Sequence, residues 1–76
     1  MSENQRIRAA IREILPRLRL MYRDVREGWE CPEIGAELNL YRRSLNFAMK
    51  TNPRDYRKIW HEAKSLESVL VHYLTE

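Results

Sequence analysis

The residues best suited to molecular recognition lie between Tyr41 and Lys50. Arg42 and Arg43 are adjacent, Asn46 follows one helical turn later, and no acidic residue occurs in this stretch. An arginine guanidinium donates paired hydrogen bonds to a phosphate or to the edge of a guanine, and an asparagine amide pairs in the same way with an adenine. These side chains therefore predict binding chemistry rather than catalysis.

Charge is unevenly distributed along the chain, although the net charge of the 76 residues is only +3. Residues 1–26 carry a net charge of +4, residues 27–40 of −4, residues 41–58 of +5 and residues 59–76 of −2. Eleven of the fourteen cations are arginine. The strongest positive block coincides with the recognition residues, as expected for a surface that contacts phosphates.

The middle of the chain has the spacing of two short helices joined by a tight turn. Ile34 and Leu38 are four residues apart and share one helical face, and the small Gly35 between them would let another helix come close. Asn39 would occupy the turn, because asparagine tolerates a positive φ better than any residue except glycine. Leu40 would then anchor the turn in the core.

This stretch resembles the helix-turn-helix family of small phage, plasmid and bacterial regulators and of recombinases. The resemblance covers Cys31 to Lys50, and the residues that carry it are Ile34, Gly35, Leu38, Leu40, Ser44 and Leu45. The family prefers glycine where Asn39 stands, and serine or threonine where Tyr41 stands. The resemblance implies a helix-turn-helix spanning about 32–50 and a sequence-specific DNA-binding protein, a small transcriptional regulator that acts as a homodimer on double-stranded DNA.

The resemblance also assigns roles to side chains around the second helix of this unit. Contacts to base edges are expected from Arg42, Arg43, Asn46 and Phe47. Contacts to phosphates are expected from Tyr41, Lys50, Arg54, Arg23 and Arg26.

The first third of the chain predicts a helix, because its apolar residues recur at helical spacing. Pro16 interrupts this pattern, and we expect a helix break near Leu15, with a kinked continuous helix as the alternative. Gly28 is expected to end the helical segment. Trp29 is expected to be a core anchor, and Cys31 a half-buried residue at the head of the next helix.

The last third predicts the longest amphipathic helix of the chain. Thr51 or Asn52 would cap it, and Pro53 would lie in its first turn. Its apolar stripe is wider than a small core needs, so we expect it to serve both the core and a dimer contact, with a role in the core alone as the alternative. The stripe includes Trp60, Leu66, Val69, Leu70, Tyr73 and Leu74.

These elements together predict a single all-α domain of four or five helices. A domain this small is marginally stable, and one cysteine cannot form an internal disulfide, so oligomerisation is the expected brace. The sequence lacks a signal-peptide pattern and a long apolar span, which predicts a cytoplasmic protein without a membrane partner. We expect no enzyme, no metal and no cofactor, because no catalytic motif, ligand cluster or glycine-rich phosphate loop is present.

A second function fits the same residues: a helical protein-binding module, such as a phage-type inhibitor or an assembly adaptor. Its basic aromatic face would include Tyr41, Phe47, Tyr56 and Trp60, and it would bind an acidic protein, because arginine and aromatic residues also dominate protein interfaces. RNA binding through the arginines of the first helix is a third possibility. A recognition helix that projects freely favours DNA, whereas one packed against the C-terminal helix favours a protein partner.

Overall fold

The computed structural model describes residues 2–28, 32–51 and 53–75. The expectations for Trp29, Cys31 and Asn52 concern residues outside these ranges. Over the described residues the chain is all-helical, which confirms the predicted all-α class.

Within the described ranges the chain forms three long helices instead of the four or five predicted. Helix α1 comprises Glu3–Gly28, α2 comprises Pro32–Lys50 and α3 comprises Arg57–Thr75. The predicted count is wrong because two expected interruptions, at Pro16 and at Asn39, are absent from the structure.

A reciprocal cap begins α1. The Ser2 hydroxyl accepts a hydrogen bond from the Gln5 backbone N–H at 3.2 Å, and the Gln5 side-chain oxygen accepts one from the Ser2 N–H at 3.2 Å. This capping box satisfies two backbone donors that have no partner within the helix. The helix therefore begins where the sequence predicts, and it ends at Gly28, also as predicted.

Helix α1 continues through Pro16, so the break expected near Leu15 does not form. Pro16 is exposed, on the side of α1 opposite the buried Ile14 and Leu18. An interior proline costs a helix about 3 kcal/mol through its lost N–H and its ring clash. The unbroken apolar stripe of α1 offsets that cost, because both halves of the helix pack on one core.

Helix α2 is likewise unbroken, so the predicted turn at Asn39 is wrong and the helix-turn-helix of residues 32–50 does not form. An asparagine inside a helix costs less than about 1 kcal/mol relative to alanine. Leu38 and Leu45 are both buried and lie on one continuous stripe. Leu40 lies off this stripe and is 66% exposed, so it is not the core anchor that the turn required.

Helix α3 begins at Arg57, four residues after the expected start at Pro53. The Asp55 carboxylate accepts a hydrogen bond from the Arg57 backbone N–H at 2.9 Å, so Asp55 rather than Thr51 caps the helix. Asn4 of α1 binds the segment before the helix. Its side chain donates to the Arg54 carbonyl at 3.2 Å and accepts from the Tyr56 N–H at 3.0 Å.

Helices α1 and α3 lie parallel and share the largest helix–helix contact. Asn4 meets Arg54 and Tyr56, and Arg17 forms an ion pair with Glu67. Both contacts join positions about 50 residues apart, so the two helices advance together in the same direction. Helix α2 runs in the opposite direction and packs against both, which gives an up-down-up arrangement.

The core lies along the line where the three helices meet. The buried residues of α1 and α3 recur at steps of three and four, and those of α2 are seven apart, as a buried helical stripe requires. The buried apolar residues are Ile11, Ile14, Leu18, Val25, Leu38, Leu45, Tyr56, Ile59, Ala63, Leu66 and Leu70.

The described part of the chain is elongated, with extents of 43 × 21 × 16 Å and a radius of gyration of 13.0 Å. A compact chain of this length would have a radius of about 11 Å. Helix α1 accounts for the difference, because 26 residues of helix extend about 39 Å. Within the described residues, no helix is both long and apolar enough to span a bilayer.

Candidate functional site

The two arginines and the asparagine singled out in α2 do not project together. Arg42 and Asn46 are one helical turn apart and line a groove between α1 and α2. Arg43 is exposed on the outer face of α2, and Phe47, one turn beyond it, is 70% exposed on that same face. The predicted base-contacting set is thus divided between a groove and the outer face of the helix.

The Arg42 side chain lines the groove and is held in place by contacts with neighbouring side chains. Its guanidinium carbon lies 5.4 Å from the centre of the Tyr22 ring on α1, which is a cation–π distance. Its Nη2 donates to the Asn39 side-chain oxygen at 3.0 Å. The Nε–H is shielded from solvent and has no hydrogen-bond acceptor among the described residues. These contacts fix the direction of the side chain.

The groove between α1 and α2 has a volume of about 760 Å³. Five arginines line it, and no acidic residue does. The arginines are Arg12, Arg19, Arg23, Arg26 and Arg42, and none of them forms an ion pair with a described residue.

Part of the groove lining is apolar. Leu15, Pro16, Leu20 and Tyr22 of α1 line it between the arginines. Leu20 is 53% exposed, which leaves a large apolar side chain available to a ligand. The groove therefore combines cations that attract an anionic partner with apolar surface that a partner can cover.

Two arginines outside the groove do form ion pairs. Arg17 on the α3 side of α1 pairs with Glu67, and Arg57 pairs with Asp55 at 3.1 Å. Glu67 also accepts a hydrogen bond from Lys64 at 2.7 Å. The Lys64 hydrogen bond, with a smaller contribution from Arg17, holds the pKa of the Glu67 carboxyl below its usual value despite partial burial.

The residues predicted to contact phosphates are also separated. Arg23 and Arg26 line the groove near the end of α1, whereas the backbone carbonyl of Arg54 is bound by Asn4 near the beginning of that helix. From Asn4 to Arg23 the helix rises about 28 Å. Arg54 instead lines a smaller cleft, of about 400 Å³, beside the α1 N-terminus. Lys50 is exposed at the end of α2.

Tyr41 joins α2 to α3. Its hydroxyl donates a hydrogen bond to the Glu62 backbone carbonyl at 3.1 Å. Burial raises the pKa of the Tyr41 phenol above its usual value, and the nearby Glu62 carboxylate raises it further. Tyr41 therefore links two helices through this hydrogen bond, and its partly exposed side chain can make further contacts.

The α3 residues predicted to serve the core or a dimer contact differ in how deeply they are buried. Leu66 and Leu70 are buried, and Trp60 and Tyr73 pack against the core from partly buried positions. Val69, Val71 and Leu74 are exposed. Val71 and Leu74 are three residues apart and share one face near the end of α3, whereas Val69 lies on the opposite side of the helix from Val71.

Arg12 and Arg19 are the groove arginines for which the sequence pattern predicted no contact. The sequence indicated only that they belong to an arginine-rich helix. Their spacing of seven residues, continued to Arg26, places all three on one side of α1 and would have marked them. The groove itself depends on where α2 lies, which spacing alone does not give.

The described fold and its groove define a small helical-bundle protein with a cationic cleft. No known family model matches the chain, and no curated protein or solved structure is significantly similar to it. Among the described residues, no group of three histidine, cysteine, aspartate or glutamate side chains is placed to hold a metal ion.

Proposed function

We propose that this protein is a helical protein-binding module that holds an acidic segment of a partner protein in the groove between α1 and α2. The observation that carries the proposal is the set of five arginines lining a groove that also has apolar lining residues and no acidic one. An acidic segment would supply the carboxylates that these arginines lack.

The like charges of the groove give a second reason. Arg19 and Arg23 are four residues apart on α1, and Arg23 and Arg26 are three apart, so they are neighbours on the helix surface. Each such pair destabilises a helix by about 0.2–0.5 kcal/mol. A bound polyanion relieves this repulsion, so binding and helix stability are expected to rise together.

The shape of the site favours a protein over a DNA duplex. A recognition helix must stand out from the body to enter a major groove. Helix α2 instead packs on both neighbours, with Arg42 held at Tyr22 and Tyr41 held at Glu62. Apolar side chains such as Leu20 gain most from a partner that covers them with apolar side chains of its own.

The test measures binding of a fluorescent poly-glutamate peptide by anisotropy, at low and at moderate salt. The double variant Arg19→Glu with Arg23→Glu is expected to weaken binding at least about tenfold, because two charge-assisted contacts become repulsive. The matched control is Arg6→Glu with Lys58→Glu, which reverses two exposed cations outside the groove.

The control variant is expected to bind almost as well as the wild type. Equal weakening in both double variants would show that only net charge matters, and absence of binding by the wild type at low salt would refute the proposal. Circular dichroism of each variant verifies that the helices remain folded.

Sequence-specific DNA binding by a homodimer is the second candidate. Arg43 and Lys50 favour it, because both are exposed and seven residues apart on the outer face of α2, flanking the arginine groove. Val71 and Leu74, exposed on one face of α3, would supply the dimer contact. A selection from random duplex DNA at two salt concentrations tests it: enrichment of a near-palindrome supports this candidate, and salt-sensitive binding without enrichment contradicts it.

A further inference from the structure

The lining of the groove follows a regular repeat along α1. Arg12, Leu15, Arg19, Tyr22 and Arg26 succeed one another at steps of three, four, three and four residues, and all five line the groove. This is the spacing of a heptad repeat, by which helices pack side by side. Here cations alternate with apolar or aromatic residues along the stripe.

The repeat fixes the distances between the cations. Seven residues of helix rise about 10.5 Å, so Arg12, Arg19 and Arg26 form a row about 21 Å long. Leu15 and Tyr22 lie between successive arginines of this row. Arg42 and Asn46 of α2 form the facing wall.

From this alternation we propose that the partner segment is an acidic amphipathic helix that docks along the groove as a fourth helix of the bundle. It would present acidic residues seven apart, opposite the arginine row, and apolar residues between them, opposite Leu15 and Tyr22. This inference rests on the proposed function, because it specifies the partner of the same groove.

A helix suits this spacing better than an extended segment does. Seven residues of a partner helix also rise about 10.5 Å, so every repeat stays in register with the arginine row. A β-strand covers that distance in about three residues, and because strand side chains alternate in direction, every second acid would point away from the groove. A polyproline helix rises about 9.3 Å per turn and drifts out of register.

The occupant is another protein rather than a second copy of this chain. Nowhere in the sequence do three acidic residues occur seven apart in succession. Acidic pairs seven apart do occur, at Glu30 and Glu37 and at Asp55 and Glu62, but in both cases the next position of the repeat is not acidic. A second copy therefore cannot match all three arginines of the row.

The experiment compares two synthetic peptides of identical composition, each about 21 residues long, so that each reaches from Arg12 to Arg26 when helical. The in-register peptide carries glutamates seven apart, with leucines at the intervening three-and-four positions. The out-of-register peptide carries the same glutamates five apart. Binding is measured by titration calorimetry, and helix content by circular dichroism of each mixture.

The in-register peptide is expected to bind at least about tenfold more tightly and to gain helix content on mixing, because only it meets every arginine at once. If both peptides bind equally and the groove variant Arg19→Glu with Arg23→Glu still weakens both, the helical partner is wrong while the proposed function stands. If neither peptide binds, both are wrong.

A charge exchange tests the register itself. Arg19→Glu should weaken the in-register peptide, and a peptide with lysine in place of its central glutamate should restore binding to this variant. Arg23→Glu is the matched control, because Arg23 lines the groove but lies outside the seven-residue row, and the lysine peptide should not rescue it. Rescue of both variants, or of neither, would contradict the proposed register.

Two further outcomes would overturn the proposal. One is sedimentation showing that the protein alone forms a dimer that the in-register peptide dissociates, since a second copy would then occupy the groove. The other is displacement of the peptide by a duplex DNA at a lower concentration than unlabelled peptide needs. A monomer whose bound peptide is displaced only by peptide supports the proposal.

Discussion

Asn4 connects the beginning of α1 to the segment that leads into α3. Its amide group both donates to the Arg54 carbonyl and accepts from the Tyr56 N–H, in the manner of a neighbouring backbone strand. Tyr56 is buried, so its N–H has little access to water if Asn4 is removed. One polar side chain thereby determines where two distant parts of the chain meet.

The variant Asn4→Ala should therefore lower the free energy of unfolding by about 1–2 kcal/mol, measured by urea denaturation. Asn4→Asp is the matched comparison, because its carboxylate still accepts from Tyr56 and is favourable in the first turn of a helix. It should lose less than Asn4→Ala. Equal loss in both variants would contradict the bridging role of the amide.

Glu67 is expected to make stability depend on pH. Hydrogen bonds from Lys64, and less strongly from Arg17, lower the pKa of its carboxyl in the folded protein. A group whose pKa is lowered by folding stabilises the protein above its unfolded pKa, and this contribution is lost as the pH falls through the folded pKa. Both cationic partners are largely exposed, so the effect is screened by solvent.

Glu67→Gln should accordingly lower the free energy of unfolding by about 0.5–1 kcal/mol at neutral pH. The difference from the wild type should shrink as the pH falls below the usual glutamate pKa of about 4.3. Glu13→Gln is the control, because Glu13 is exposed on α1 and forms no ion pair with any described residue. A Glu67→Gln effect that stays constant with pH would exclude the ion pairs as its cause.

At the scale of the helices, the space beside Gly35 shows how closely other elements pack against this part of α2. A close helix crossing would leave no room for a side chain there, but apart from the chain neighbours of Gly35 and the nearby backbone of its own helix, no described atom lies within 4 Å of the place that a Cβ would occupy. Gly35 thus lies inside a helix with open space beside it. The expectation that it admits a second helix backbone is wrong for the described residues.

The substitution Gly35→Ala should raise the free energy of unfolding by about 0.5–1 kcal/mol, because alanine loses less backbone entropy in a helix. The adjacent Ala36→Gly is the mirror control, since Ala36 is exposed in the same helix and its replacement should cost a similar amount. Thermal denaturation measures both. Destabilisation by Gly35→Ala would mean that another element packs against this position.

The sequence predicts the amphipathic helices well and their interruptions poorly. The stripes of α1 and α3 are visible because burial enforces the helical period over many turns. Pro16 and Asn39 are ordinary helix-breaking signals, yet each costs only a few kcal/mol at most, and the apolar stripe continues in register across both. Local signals cannot be weighed against tertiary packing until the packing is known.

The sequence predicts the chemistry of the candidate site but not which side chains line it together. Arginine abundance and the acid-free stretch 41–50 indicate an anionic partner, and Arg42, Asn46, Arg23 and Arg26 do line the groove. The sequence did not show that Arg43 lies outside it, because the exposed side of α2 depends on how the helix is rotated against α1 and α3. That rotation follows from side chains on all three helices.

At the scale of the whole molecule, stability depends on a small core along the line where the three helices meet. A domain of this size buries a small share of its surface, so each buried residue matters more than in a large protein. Leu70 is fully buried near the end of α3, whereas Val71, the next residue, is exposed. This adjacent pair separates the contribution of the core from that of apolar character alone.

Leu70→Ala should lower the free energy of unfolding by about 2–5 kcal/mol, a large fraction of what a small domain has. Val71→Ala should change it by no more than about 0.5 kcal/mol. Urea denaturation monitored by circular dichroism distinguishes them. A comparable loss for Val71→Ala would show that the apolar end of α3 is covered in solution, as a self-associating surface would be.

The parallel alignment of α1 with α3 has a consequence for the order in which the protein assembles. The largest contact joins positions about 50 residues apart, so the chain must close a long loop before most of the core exists. The α1–α2 hairpin leaves much of its apolar stripe uncovered until α3 arrives. We therefore expect folding to be a single concerted step and not a stepwise accumulation of helices. In this step α3 docks at or after the rate-limiting barrier.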